Sequence, residues 1–175
     1  MPNARGFTLI EVLIVIAITA LLAGLILTYT SSSRDQVALY VEQARLAQTV
    51  AKAKSLTIST YNNPTVPCGY GVSVDYANDT YLLFAYDAPS CASITFLNPD
   101  FQRELSTHRL PLNLQLPEPD AESVSGVLFT PPDPKGWIWL EASRTTSTEG
   151  RIPLASRGGN LTTSVSISSA GQISF

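Results

Sequence analysis

The chain has 175 residues, 45% hydrophobic and 14% charged, and a net charge of −3 from 11 basic and 14 acidic side chains. That length bounds it to about one domain plus an extension, and the acidic balance excludes a wholesale electrostatic grip on nucleic acid. With one histidine and no Cys-x-x-Cys spacing, a zinc framework is not supported either.

Met1 to Gly6 is a short polar leader containing the cation Arg5. From Phe7 to Tyr29 the chain is apolar or small and carries a single charge, Glu11. As a helix those 23 positions reach about 35 Å, enough to cross a bilayer's hydrocarbon core of about 30 Å. A secretory signal peptide has its small-residue cleavage site after the apolar core; here the small residue, Gly6, precedes it. Glu11 sits one turn inside the segment, where a carboxylate is costly enough to mark a functional site with a partner to be found.

Gly6-Phe7-Thr8-Leu9-Ile10-Glu11 resembles the processing site of the type IV pilin and type II secretion pseudopilin superfamily. The resemblance covers roughly the first third of the chain. It implies cleavage between Gly6 and Phe7 by a membrane-embedded prepilin peptidase, N-methylation of the new Phe7 amine, and a mature chain of 169 residues with net charge −4. It also implies assembly with other pilin or pseudopilin subunits on an inner-membrane platform. Glu11 is then the only acidic group in the segment, facing an α-amine that is largely cationic at neutral pH. A neighbouring subunit's amine and the Phe7 amine of the same chain are both open as its partner.

Arg34 to Leu56 keeps a helical register, with Val37, Val41, Ala44, Ala47 and Ala51 as a narrow apolar stripe expected to pack under a sheet. An independent coiled coil is the alternative. No Pro or Gly occurs between Leu25 and Tyr61, so one continuous helix is expected, with Gly24 and Ser31-Ser32-Ser33 as its weak points. Many members of the superfamily have a proline in the late apolar segment; none lies between Pro2 and Pro64 here, so any hinge is expected at Gly24.

Tyr61-Asn62-Asn63-Pro64 ends the helix, because the residue before proline is steered from the α region. Strands are expected over Gly71–Tyr76 and Thr80–Tyr86 as a hairpin, Ser93–Leu97, Val124–Thr130 paired with Trp137–Ala142, Arg151–Ala155, and Leu161–Ser168 with Gln172–Phe175. Asn98 to Glu122, with four prolines, is expected to be loop with short extended pieces, with His108 on its surface. The fold class is therefore α+β: a long N-terminal helix, its first half transmembrane, packed on a C-terminal antiparallel sheet. The divisions expected are a leader at 1–6, a membrane and filament-core helix at 7–29, an amphipathic extension at 30–60 and a β-rich domain at 61–175.

Cys68 and Cys91 are the only cysteines. In an exported domain, as the anchor implies, an even pair favours a disulfide, with two free thiols as the alternative. No catalytic set, nucleophile elbow or cofactor motif stands out, so the expected role is structural and not enzymatic. Typical major type IVa pilins have a disulfide near the C-terminus, whereas no cysteine follows Cys91 here. Major pseudopilins have calcium-binding carboxylates in their C-terminal loop, whereas Glu149 is the last acidic residue here. The chain thus looks more like a minor pilin or minor pseudopilin, stored in the cytoplasmic membrane with its C-terminal domain outside the cytoplasm and then carried into a filament. The alternative is a DNA-binding minor pilin, with Arg144, Arg151 and Arg157 contacting phosphates.

Overall fold

Thr8 opens the architecture by capping a single helix, α1 (Leu9–Thr60), of 52 residues and about 78 Å at 1.5 Å per residue. In the computed structural model, residues 8–60, 67–89, 91, 94, 97–131, 135–143, 145–158 and 161–175 are described, the side chains of 26–32 and 135 excepted. The absence of proline lets the helix run through Gly24 and the serines at 31–33 without a break.

The strands form two antiparallel sheets. The first holds six, in the order β3 (Gln102–Arg109), β2 (Thr80–Tyr86), β1 (Gly69–Asp75), β5 (Val124–Thr130), β6 (Lys135–Leu140) and β7 (Thr146–Ser147). The second holds four: β10 (Ile173–Ser174), β9 (Thr162–Ser168), β8 (Glu149–Ser156) and β4 (Leu114–Gln115). The expected α+β arrangement, a helix on an antiparallel sheet domain, is what the chain adopts.

One face of α1 covers both sheets. Leu39, Leu46, Ala47, Val50 and Ala53 lie in one core with Val72, Val127 and Phe129 of the first sheet and Ile152, Leu154, Val165 and Ile167 of the second. The stripe expected to make this contact lies elsewhere. Of its five residues only Ala47 is buried; Val37, Val41, Ala44 and Ala51 face outward. The real contact face includes two polar side chains, Glu42 and Gln43, which interrupt its apolar pattern. Both are hydrogen-bonded: Gln43 Nε2 donates to the Ser164 carbonyl at 2.8 Å, and Glu42 joins the network described below.

The outer face of the first sheet has a second, smaller core of Cys68, Phe84, Tyr86, Ile94, Leu128 and Trp139, with Leu97 and Phe101 packed on it. A disulfide between Cys68 and Cys91 holds the covering segment at a Cα separation of 5.2 Å. Gly71 of β1 lies beneath the Phe84 ring, and a Cβ there would collide with that ring and with the Val127 carbonyl.

Two sequence expectations change. Residues 98–122 contain β3, an eight-residue strand with almost no buried side chain. Without an apolar alternation it gave no strand signal; its backbone pairing to β2 supplies the order. The Ser93–Leu97 strand falls mostly on residues outside those described, and Ile94 and Leu97 are not in a strand. Secondly, among the described residues no helix is long and apolar enough to cross a membrane. Their apolar run, Leu9–Leu25, makes about 25 Å of helix against a hydrocarbon core of about 30 Å. The other side chains of the expected span, Phe7 and residues 26–29, lie outside the description.

Candidate processing and assembly site

At its start α1 has the sequence Thr8-Leu9-Ile10-Glu11, the pattern of a capping box. The Thr8 hydroxyl accepts the Glu11 backbone N–H at 3.3 Å. In return, Glu11 Oε2 accepts the Thr8 backbone N–H at 2.9 Å and the Thr8 hydroxyl at 3.0 Å. Two N–H groups that a helix start leaves unpaired are thereby satisfied. The signal for this cap is the Thr-x-x-Glu spacing itself. Gly6 and Phe7, the expected cleavage pair, lie outside the described residues.

Beyond the cap, every side chain from Leu9 to Leu25 is exposed, with Leu9 82% and Leu21 65% accessible. Among the described residues, no strand or loop covers this rod. An apolar surface of that extent marks a site of contact with lipid or with another protein.

A family model described as the prokaryotic N-terminal methylation motif matches residues 1–27. The chain carries the N-terminal signature of type IV pilins and pseudopilins. No curated protein and no solved structure matches it. That motif supports a pilin-like subunit and implies processing by prepilin peptidase and assembly with other such subunits. In this pilin-like chain the capped, uncovered rod is the part that the motif spans, and the sheets are carried at its far end.

The arginines proposed for phosphate contact are differently placed. Arg144 lies outside the described residues. Arg151 pairs with Asp120 through Nη2 and with Glu122 at 3.5 Å. Arg157 donates to Asp79 Oδ2 at 2.7 Å. Asp79 is itself a junction: its other oxygen accepts the Leu116 N–H at 2.8 Å and its carbonyl accepts the Leu110 N–H at 2.9 Å. It sits at φ 53° in the β1–β2 turn, a conformation aspartate tolerates better than most residues.

Glu42, on the buried face of α1, accepts from Arg45 at 2.8 Å and bonds His108 Nε2 at 2.9 Å. His108 is therefore no free loop residue: it sits on β3, its ring tilted against that of Tyr81 with centroids 5.0 Å apart, and ties the sheet edge to the helix. Burial and the Glu42 charge push the Tyr81 phenol above its ordinary range. Nothing in the sequence spacing couples residue 42 to residue 108; only the folded register does.

Proposed function

We propose that the chain is a minor pilin or minor pseudopilin, a structural subunit of a type IV pilus or type II secretion filament. Cleavage between Gly6 and Phe7 would release the leader, and methylation would modify the Phe7 amine. The chain would wait in the cytoplasmic membrane with its sheets outside the cytoplasm, then enter a periplasmic or extracellular filament from an inner-membrane platform. The observation that carries this reading is the methylation motif over residues 1–27. The uncovered apolar rod ahead of a folded β domain supports it.

In this reading Glu11 serves assembly by pairing with an α-amine. Two charges removed from water together offset part of each other's desolvation. The alternative of a DNA-binding minor pilin gains no support from Arg151 and Arg157, whose guanidinium groups face carboxylates.

Mass spectrometry of native protein tests the reading. The expected N-terminus is a methylated Phe7, and the protein is expected in sheared filament fractions with other subunits. An N-terminus at Met1, or a cut after residue 29, would sink it.

A further inference from the structure

Beyond the rod, the feature left without a role is a cleft of about 510 Å³ on the outer face of the second sheet. On β9 the residues alternate: Val165 and Ile167 enter the core, whereas Ser164, Ser166 and Ser168 face the cleft half-buried. Register extends this into rows, because residues directly paired in an antiparallel ladder share a face. Arg151, Ser166 and Ser174 lie side by side across β8, β9 and β10, and Glu149 stands opposite Ser168. The Gln172 side chain and Ser147 of β7 close the rim.

Serine is a costly choice here. Exposed strand positions favour threonine, β-branched and aromatic residues, which would fill this space. Small hydroxyls keep it open. Among the described residues, the Ser166 and Ser174 hydroxyls, the Gln172 amide and the Glu149 carboxylate have no hydrogen-bond partner within the chain. The cleft thus presents donors and acceptors together. Its charges, Glu122 and Glu149 against Arg151, which also holds Asp120, disfavour an anion. β9 is paired on both sides, and the edge strands that reach the cleft, β7 and β10, are two residues long each, too short to seat an added peptide strand. The volume falls within the usual range for small ligands, about 300–1,000 Å³.

We propose that this cleft binds a neutral saccharide, one or two sugar units of a glycan, through the Ser166, Ser174, Gln172 and Glu149 side chains. The ligand's hydroxyls, each both donor and acceptor, match that mixed set. This goes beyond the filament reading and does not depend on it, since binding is measured on the unassembled chain.

The test uses the full chain in a non-glycoside detergent, with maltose, lactose, cellobiose and chitobiose as probes at millimolar concentration. Saturation-transfer NMR is expected to detect at least one of them. Ser166→Tyr, which fills the cleft, is expected to weaken that binding about tenfold or more. Should that variant fold poorly, as judged by its melting temperature, the exposed pair Gln172→Ala and Ser174→Ala is expected to give a loss of the same order. Three results would each overturn the proposal: no probe bound by the wild-type chain, binding undiminished in folded variants, or dextran sulfate displacing the sugar from the cleft.

Discussion

Glu42 is the residue on which the seating of α1 against the first sheet's edge turns. Its carboxylate is almost fully buried and touches partners from both elements, Arg45 and His108. Glu42→Ala takes the acceptor from half-buried His108, whereas half-exposed Arg45 keeps solvent and its contact with His108, so a loss of about 1 kcal/mol is expected in urea unfolding. In a double-mutant cycle, Glu42→Ala and His108→Ala are expected to be non-additive because they remove one shared bond; strict additivity would show that the pair is incidental. Two exposed aspartates give the molecule a small acid sensitivity. The Asn78 side-chain amide holds the Asp75 carboxyl below its usual range, and the Ser123 hydroxyl, followed by Arg151, does the same for Asp120. A depressed folded pKa means that this stability is complete above the unfolded value near 4 and is lost as pH falls through the folded value. Asp120 is about half exposed (46%), so solvent screening keeps its share small. Melting temperature is expected to fall below about pH 4, and Asp75→Asn with Asp120→Asn is expected to flatten that slope. An unchanged slope would move the acid sensitivity elsewhere.

Elements divide between those held by burial and those held by tethers. Among the described residues between Asp87 and Phe101, Ala88, Ile94, Leu97 and Phe101 pack on the outer face, and the Cys68–Cys91 bond tethers this part of the chain to β1's start. The chain-entropy model gives about 3 kcal/mol for a loop of this size. Cys68→Ser with Cys91→Ser is expected to lower stability by about 2–5 kcal/mol. Hydrogen exchange should quicken first in that segment while β5 stays protected; uniform loss of protection would contradict a local tether. For α1 the two stripes separate cleanly. Leu46→Ala is expected to cost about 2–5 kcal/mol, whereas Val41→Ala on the outer face should stay within about 0.5 kcal/mol. These elements also show what could be read in advance. The hairpins around residues 77–79 and 169–171 and the pair flanking 131–134 were legible because apolar alternation and turn residues agree there. The phase of α1 was not, because Glu42 and Gln43 are buried by partners 66 and 121 residues away. β3 was hidden for the opposite reason: it buries almost nothing, and a sheet edge needs only backbone pairing.

At the scale of the molecule, the second half of α1 and the two sheets share one core, while the side chains from Leu9 to Leu25 stay exposed among the described residues. In the proposed filament, sister helices would cover that rod. The motif was legible from six residues, Gly6 to Glu11, because it is a local pattern; the capping role of Glu11 emerged only with the geometry of the helix start. Its carboxylate closes the box with Thr8 in the single chain, yet in the proposed filament it must face an amine. One substitution separates these roles. Glutamine can close a capping box as glutamate does, but it has no charge to pair with a cation. Glu11→Gln is therefore expected to keep the helix start intact and leave leader removal largely unaffected. If charge pairing governs assembly, its presence in sheared filaments should fall about tenfold or more, as for Glu11→Ala, since 1.4 kcal/mol of lost pairing already gives that factor. If capping is the whole of its role, Glu11→Gln will match the wild type and only Glu11→Ala will fail. Mass spectrometry of the N-terminus, with quantitative immunoblotting of filament and membrane fractions, reads both steps. Wild-type incorporation of Glu11→Gln would therefore end the charge-pairing account while leaving the cleavage site standing.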